Sequence, residues 1–280
     1  MLMPYAEKSM KETPYYPKMG NAGLSPTHAV RAVDANGEPR QVDIAGEFPM
    51  TIYVNGQEIV TLMTLGTHPE DLALGYLRNQ RLITDIEEIE SVEVDWDTES
   101  AHIKTRQEGD GFRGKPDHRI ITTGCGQGTL FSCTLDGLYD RKPVHKTVHK
   151  STVQRLVKYL TGYNKIYRAA GSVHGCALCT DDGVDIFIED VGRHNALDTI
   201  AGQMWLTRIQ GKDKILYTTG RLTSEIVIKA ALMEIPVLIS RSGITHMGLE
   251  LARDLDITMI ARVKRNNFLV FNGYDRVVLD

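Results

Sequence analysis

The sequence predicts an α/β protein, α+β overall, with a smaller β-rich N-terminal domain and a larger C-terminal domain. Two observations lead to this prediction. Residues 29–120 alternate apolar and polar side chains around tight-turn residues and contain one helical pattern. Residues 121–280 alternate short apolar strands with amphipathic helices, which is typical of a largely parallel sheet covered by helices. A chain of 280 residues is long enough for both units.

Residues 1–28 are expected to form a flexible tail. They are rich in Pro, Tyr and Lys and lack the apolar core and cleavage site of a secretory signal. No apolar run elsewhere approaches the roughly 20 residues of a membrane span. The net charge is −4, with 32 basic and 36 acidic residues, so nothing attracts the whole chain to nucleic acid or an anionic membrane. We therefore expect a cytoplasmic protein with neither kind of partner.

Three hairpins and one helix are expected in the N-terminal domain. Asn-Gly pairs at residues 36–37 and 55–56 each separate two alternating segments, and Asn-Gly is a strong hairpin signal. Residues 91–105 alternate in the same way. Residues 67–80 have helical spacing instead, with Pro69 in the first turn, where the missing N–H costs nothing.

The C-terminal domain begins with a helix at residues 151–162, whose predicted capping box is formed by Ser151 and Gln154. A strand–turn–strand segment follows at residues 173–190. After it, apolar strands alternate with segments of helical periodicity. The helices are expected at 194–206, 223–232 and 245–255, and the strands at 214–220, 236–240, 258–263 and 267–273.

Three loops of this domain have one composition in common. Residues 189–195, 218–224 and 240–246 each follow a strand and carry a glycine, an arginine and helix-capping side chains. Helix N-termini offer free N–H groups, and arginine binds phosphate in a bidentate manner. Each loop alone could simply cap its helix. The basic segment 261–267 follows a strand, and its Arg262, Lys264 and Arg265 could bind phosphates or could form a solvated turn. Three such loops at one sheet edge favour an anionic, phosphate-bearing ligand.

His194 is the side chain of the first loop that titrates near neutrality when unperturbed. Glu189 and Asp190 could orient it or pair with Arg193. Catalysis or ligand contact is favoured for His194, and the alternative is a helix cap held by an Arg–carboxylate pair.

Cys125 lies in a glycine-dense turn, in the sequence TTGCGQGT. A buried structural cysteine normally has apolar neighbours, so an exposed, reactive thiol is favoured over an incidental loop cysteine. Such a thiol can carry sulfur as a persulfide. Cys176 and Cys179 have metal-ligand spacing, but a structural zinc site would also need Cys133 and His174 to converge on them. Residues three apart on a strand point to opposite faces, which favours simple burial.

Several of these segments together resemble the FdhD family, the formate dehydrogenase accessory sulfurtransferases. They are EDVGRHNALD at residues 189–198, Gly220-Arg221-Leu222 with Glu225 and Lys229, and SGIT at residues 242–245. EFPMTIYVNG at residues 47–56 and PEDLALGYL at 69–77 are similar to the N-terminal half of the family. The resemblance extends from Glu47 to Asn272.

The resemblance implies a sulfur relay. Family members take persulfide sulfur from a cysteine desulfurase and pass it to the molybdenum cofactor, bis-molybdopterin guanine dinucleotide, before its insertion into formate dehydrogenase or a related molybdoenzyme. It also implies a homodimer, a C-terminal domain similar to cytidine deaminases, and mimicry of the cofactor by guanine nucleotides. The persulfide cysteine maps onto Cys125, and no dedicated protein-bound metal is expected. The family's cofactor-contact segment maps onto Arg262, Val263, Lys264, Arg265, Asn266 and Asn267. The three loops add as expected cofactor contacts Gly192, Arg193, His194, Asn195, Gly220, Arg221, Ser242 and Thr245.

The chain departs from the family pattern in three places. Gly128 stands where the second loop cysteine is usual, Gln80-Arg81 replaces an acidic residue and glycine, and residues 241–245 lack Ala-Pro. These departures indicate a divergent subfamily with another client enzyme. No deaminase zinc signature is present in the sequence, so deamination is not expected.

Two alternatives remain beside the sulfurtransferase. The missing second cysteine favours a non-catalytic chaperone that binds the cofactor without carrying sulfur. A zinc or iron–sulfur protein using Cys176 and Cys179 is the other alternative.

Overall fold

The computed structural model describes residues 15–106, 119–122, 128–131, 138, 142–265 and 267–279. The N-terminal half contains strands β1 to β7 and one α-helix. In chain order they are β1 (Lys18–Met19), β2 (Thr27–Val33), β3 (Pro39–Ala45), β4 (Phe48–Val54), β5 (Gln57–Thr64), α1 (Pro69–Asn79), a 3-10 helix (Ile86–Glu88), β6 (Ile89–Asp95) and β7 (Ser100–Thr105). A hairpin of β8 (Arg119–Thr122) and β9 (Gly128–Phe131) follows.

The three predicted N-terminal hairpins are confirmed. Strands β2 and β3 pair across residues 36–37, β4 and β5 across 55–56, and β6 with β7. Asn55 and Gly56 both have positive φ angles, 49° and 81°, as a tight hairpin turn with the twist of the strands requires. Strands β1, β6, β7, β4 and β5 form one sheet in that order, and β2–β3 is a separate ribbon.

The flexible tail expected over residues 1–28 is wrong for its second half. Strand β1 pairs in parallel with β6, and the Tyr15 hydroxyl donates to the Ile89 carbonyl at 2.6 Å. The Ala22 amide donates to the Glu70 carboxylate at 2.8 Å. These contacts attach residues 15–28 to the N-terminal sheet and to α1. Residues 1–14 lie outside the described part of the chain.

The C-terminal half alternates strands and helices as predicted, with helix α3 in addition. In chain order the elements are β10 (Val148–His149), α2 (Lys150–Tyr163), α3 (Lys165–Ala170), β11 (His174–Cys179), β12 (Val184–Asp190), α4 (Arg193–Leu206), β13 (Ile215–Thr218), α5 (Ser224–Leu232), β14 (Val237–Ser240), α6 (His246–Asp254), β15 (Thr258–Lys264), β16 (Asn267–Asn272), a 3-10 helix (Tyr274–Arg276) and β17 (Val277–Val278). Ser151 lies inside the first turn of α2, so it cannot be the predicted N-cap.

The main sheet is mixed rather than largely parallel. Its order is β12-β11-β13-β14-β15-β16, and only the β13–β14 and β14–β15 pairs are parallel. The expectation was wrong because β11–β12 and β15–β16 are joined by short turns, which force antiparallel pairing. Strands β12, β13, β14 and β15 nevertheless run in one direction. Their carboxyl ends therefore lie along one edge of the sheet.

Each face of this sheet packs into its own core. One core joins the sheet to α4, α5 and α6 and contains Cys176 and Leu178, while the other joins it to α2 and contains Ala177 and Cys179. The N-terminal sheet and α1 form a third core, which Trp205 of α4 also joins. None of the helices in the described ranges has the length and apolarity of a membrane span.

The two halves meet where α1 crosses α4. A Cβ on Gly75 would lie 1.7 Å from the Asp198 carbonyl oxygen, and one on Gly202 would lie 2.0 Å from the Asp71 carbonyl oxygen. Only glycine at both positions lets the two backbones approach this closely. The crossing places the N-terminal half against the helix that begins at Arg193.

Candidate functional site

The three predicted loops and the basic segment form one continuous surface at the carboxyl edge of the main sheet. The Ser240 hydroxyl donates to the Gly220 carbonyl at 2.6 Å, and the Leu222 amide donates to the Gly243 carbonyl at 3.0 Å. The basic segment joins the third loop through a backbone hydrogen bond from Arg262 to Ser242. Strand direction therefore brings together segments that are far apart in sequence, and their role in ligand binding remains a prediction.

Arg193 is a buried cation of this edge. It is 5% exposed, and its Nε and Nη2 atoms have no hydrogen-bond partner within the described ranges. The side chain lies against Gly220, where a Cβ would come within 2.9 Å of the Arg193 Cδ atom. A buried guanidinium with unused donors is costly unless an acceptor reaches it. Arg193 is therefore a candidate contact for an anionic or carbonyl-bearing ligand.

His194 is held by a carboxylate on the neighbouring helix. Its Nδ1 atom lies 3.3 Å from Oε2 of Glu225, and its Nε2 atom is buried with no partner among the residues the structure describes. Burial lowers the pKa of His194 to about 3, which outweighs the opposite effect of Glu225. The imidazole is therefore neutral at physiological pH. Nδ1–H faces the carboxylate, and Nε2 carries a lone pair.

Glu225 belongs to a buried chain of charges. Lys229 Nζ lies 2.9 Å from Glu225 Oε1 and 2.9 Å from Asp198 Oδ2, and Asn79 of α1 donates to Asp198 at 2.7 Å. Burial lowers the pKa of Lys229, but the two carboxylates outweigh it and raise the pKa above that of an ordinary lysine. Lys229 is thus charged, and it fixes the position of the carboxylate that holds His194.

The two acidic residues of the first loop, Glu189 and Asp190, bind groups other than His194. Both carboxylate oxygens of Glu189 accept backbone N–H bonds, from Ile166 and Tyr167, each at 2.9 Å. Glu189 therefore caps the first turn of α3, a short helix that the sequence did not predict.

Asp190 ties the first loop to the N-terminal half. One carboxylate oxygen accepts from the Thr64 hydroxyl at 2.6 Å and the Leu65 amide at 2.9 Å. The other accepts from the Gly192 amide at 2.8 Å and the Asn195 side chain at 3.0 Å. Burial raises the pKa of Asp190, and these hydrogen bonds oppose that rise. The Asn195 Nδ2 group also donates to the Met63 carbonyl at 2.7 Å, so it holds the loop in place, and a ligand contact by Nδ2 would need one of these bonds to break.

The basic segment contributes exposed positive charge. The Arg262 amide donates to the Ser242 carbonyl at 2.8 Å, and Arg262 itself has a left-handed φ of 53° at an irregularity of β15. The side chains of Arg262, Lys264 and Arg265 are exposed, as is Arg221 of the second loop. A non-glycine residue at positive φ costs about 1 kcal/mol or more, and this conformation turns the chain out of β15 toward the third loop.

Other predicted contacts are less suitable or untested. Val263 is 2% exposed and packs in the core beneath the sheet, so its side chain cannot contact a ligand. The Thr245 hydroxyl caps α6 by accepting from the Gly248 amide at 3.2 Å, as the capping alternative proposed. Asn266 lies outside the described residues, and Asn267 is exposed.

The cysteines divide into two groups. Cys125 and Cys133 lie outside the described part of the chain. Cys176 and Cys179 are buried on opposite faces of the main sheet, and burial raises the pKa of each thiol to about 12. Neither is a thiolate at physiological pH, and the two cannot share one metal ion. No cluster of three His, Cys, Asp or Glu side chains suited to a metal occurs within the described ranges.

Sequence reasoning considered His174 only as a possible zinc ligand, and it missed the partners of His194. His174 begins β11 at the same edge, half-buried, and its pKa is lowered by burial and by nearby Arg193 and Arg221. Glu225 and Lys229 were noticed only as family residues. The sequence feature that could have revealed them is a Glu–Lys pair at i, i+4 spacing inside an otherwise apolar helix. Glu and Lys are rarely buried in such a helix unless they form an ion pair.

Comparison with known proteins identifies the family. The sequence matches the FdhD/NarQ family over residues 45–278. The chain belongs to this family. It is 31% identical over 236 residues to the sulfur carrier protein FdhD of Bacillus pumilus (strain SAFR-032), which covers 84% of this chain and 90% of that protein. The sulfur carrier protein FdhD of Staphylococcus aureus (strain MRSA252) is 33% identical, with 83% and 88% covered.

A protein of known structure has the same fold. A formate dehydrogenase accessory protein from Desulfotalea psychrophila superposes with a TM-score of 0.71 at 24% identity, and the match covers 90% of this chain and 98% of that one. The mixed α/β fold class is thereby confirmed. The similarity of the C-terminal domain to cytidine deaminases remains a prediction.

Proposed function

We propose that this FdhD/NarQ-family protein is a sulfur carrier that serves the maturation of formate dehydrogenase or a related molybdoenzyme. Its substrate is bis-molybdopterin guanine dinucleotide, to which it passes persulfide sulfur before the cofactor enters the client enzyme. One observation supports this proposal most directly. The buried and unpaired Arg193 lies at the same sheet edge as the exposed Arg221 and Arg262, in a chain whose relatives are named sulfur carriers.

Sulfur loading is assigned to Cys125. The Cys125 thiolate attacks the terminal sulfur of a persulfide on a cysteine desulfurase. The S–S bond of the donor breaks, a new S–S bond forms at Cys125, and the donor cysteine leaves as a thiolate. Gly128 leaves no second loop cysteine to resolve this persulfide at that position. Cys176 and Cys179 do not compete, because their buried thiols hold their protons.

Substrate binding is assigned to the carboxyl edge of the main sheet. Exposed Arg221, Arg262 and Lys264 supply charge for the phosphates of the dinucleotide, and arginine can bind each phosphate through two hydrogen bonds. Arg193 supplies donors in the buried part of the site. A guanine nucleotide should therefore occupy part of the same surface. We also propose that the protein acts as a cytoplasmic homodimer.

Intact mass spectrometry tests the sulfur-carrier role. The full chain is incubated with a cysteine desulfurase and free cysteine, beside Cys125→Ala and, as matched control, Cys179→Ala. We expect wild type and Cys179→Ala to gain the mass of one sulfur that reductant removes, and Cys125→Ala to gain none. Equal loading of Cys125→Ala would contradict a persulfide on Cys125.

The absence of a second loop cysteine favours one alternative function, that of a chaperone that binds the cofactor without carrying sulfur. It requires that no variant gains sulfur and that Cys125→Ala still activates the client enzyme. Replacement of Arg262 and Lys264 by serine would then abolish activation. Under the sulfur-carrier proposal, Cys125→Ala abolishes activation as well.

A further inference from the structure

Arg193 and His194 are consecutive residues of α4 with opposite hydrogen-bonding properties. Arg193 has only donors, and His194 offers a lone pair on Nε2. The two residues are 5% and 8% exposed, and Arg193 Nε and Nη2 and His194 Nε2 lack partners within the described ranges. Two adjacent, buried and unsatisfied groups of opposite kind are costly in an empty site and become favourable when one ligand satisfies both.

The tautomer of His194 follows from the groups around it. Nδ1 faces Glu225 Oε2 at 3.3 Å, while Lys229, Arg193 and His174 are the other titratable or charged groups whose fields reach the ring. The cations and burial oppose protonation of Nε2, and the carboxylate keeps the single proton on Nδ1. Lys229 and Asp198 hold that carboxylate in place.

This arrangement selects among the parts of a ligand. A phosphate oxygen at His194 Nε2 would bring two lone pairs together, which is repulsive. A ligand N–H satisfies Nε2, and a carbonyl oxygen beside it satisfies Arg193. Guanine and pterin rings both carry a carbonyl oxygen next to a ring N–H, so either ring can supply the two contacts.

We propose that Arg193 and His194 recognise the carbonyl and N–H edge of a guanine or pterin ring, with Glu225 as the positioning residue that sets the His194 tautomer. The phosphates then lie on the exposed arginines of the same edge. This inference rests on the proposed function, because it assigns one part of the same substrate to one part of the same site.

Isothermal titration of the full chain with GDP, ADP and inorganic pyrophosphate tests the inference. We expect wild type to bind GDP about tenfold or more tightly than ADP, whose corresponding edge has donor and acceptor in reversed order. His194→Ala should lose about tenfold in GDP affinity and keep its pyrophosphate affinity, which also shows that it is folded. The matched control is His102→Ala on the N-terminal sheet, which should behave as wild type.

The outcomes separate this inference from the proposed function. An unchanged GDP affinity in His194→Ala, or an equal loss for GDP and pyrophosphate, overturns ring recognition by His194 and leaves sulfur transfer intact. If wild type binds none of the three probes, substrate binding at this edge fails together with the inference.

Nitrogen NMR of the histidine rings tests the positioning role of Glu225. In wild type, we expect His194 Nε2 to show the shift of an unprotonated nitrogen and Nδ1 that of a protonated one. Glu225→Gln should populate both tautomers and weaken GDP binding more than pyrophosphate binding. A protonated Nε2 in wild type, or an unchanged tautomer in Glu225→Gln, would overturn the assignment.

Discussion

The crossing of α1 and α4 leads to a strong stability prediction for Gly75→Ala. The added methyl would lie 1.7 Å from the Asp198 carbonyl oxygen and 2.7 Å from the Gly202 amide nitrogen, both of them backbone atoms. Side-chain rotation cannot relieve such a contact. The two helices must therefore move apart by about 1 Å or more, in an interior packed like an organic crystal.

The expected cost has several parts. Overpacking alone costs about 1–3 kcal/mol. Separation also strains the hydrogen bonds across the crossing, from Arg78 to the Ala201 carbonyl at 2.9 Å and from Gln203 to Asp71 at 2.8 Å, each worth about 1 kcal/mol. Alanine regains about 1 kcal/mol of helix propensity relative to glycine. We expect the free energy of unfolding of Gly75→Ala to fall by about 2–4 kcal/mol.

Urea denaturation followed by tryptophan fluorescence measures this change. Trp205 lies on α4 and packs into the N-terminal core, so its emission reports separation of the two halves. Gly162→Ala in α2 is the matched control, because nothing lies within 4 Å of its Cβ position. That variant should be neutral or stabilised by up to about 1 kcal/mol.

A single result would refute the reasoning. If Gly75→Ala and Gly162→Ala have the same free energy of unfolding within error, the helices do not touch through their backbones. The close crossing would then play no part in joining the halves.

Two further predictions concern the buried charges. Lys229→Met should lower the free energy of unfolding by about 3–5 kcal/mol, because Asp198 and Glu225 keep their burial and lose their cation. Exposed Lys158→Met should change it by less than about 0.5 kcal/mol, and equal losses would show that the buried ion pairs do not stabilise the fold. His194 has a folded pKa of about 3 against an ordinary 6.5, so the unfolded chain binds the proton first and stability falls as pH falls between these values. From pH 7 to pH 5, wild type should lose about 2 kcal/mol more than His194→Asn, and parallel pH profiles of the two unfolding free energies would contradict a buried neutral imidazole.

The parts of the fold that local physics determines were predictable from the sequence. Asn-Gly turns place the hairpins of the N-terminal half, because only residues that tolerate positive φ allow such turns. The 3.6-residue spacing of apolar side chains places α4, α5 and α6 within one or two residues. The convergence of three loops followed from strand direction, since strands that run the same way end at the same edge.

The parts that depend on distant partners were not predictable. Residues 15–28 have the composition of a tail, and their order depends on contacts with Glu70 and β6, which lie far away in the sequence. Helix α3 has six residues and no buried side chain, so its sequence has no helical spacing of apolar residues from which to predict it. Strand β11 also pairs antiparallel with β13, which follows it only after β12 and α4, and no local pattern reveals that choice of neighbour.

The candidate site shows the same division. Residue types that bind anions were visible in the loops, and Arg193 and His194 were correctly placed at the sheet edge. The distant partners of Glu189 and Asp190 lie 22 to 126 positions away in the chain, and no local pattern reveals them. The buried role of Lys229 required the burial of α5 to be known.

The attachment of Asp190 to Thr64 and Leu65 has a consequence for how the protein is made. Synthesis delivers the N-terminal sheet first, and the hydroxyl and amide that will hold Asp190 emerge long before their carboxylate. A nascent chain that stops short of residue 190 has no first loop. A complete chain whose halves have not docked leaves that loop without two of its four hydrogen bonds. Under the proposed function, cofactor binding should therefore begin only after both halves have emerged and docked.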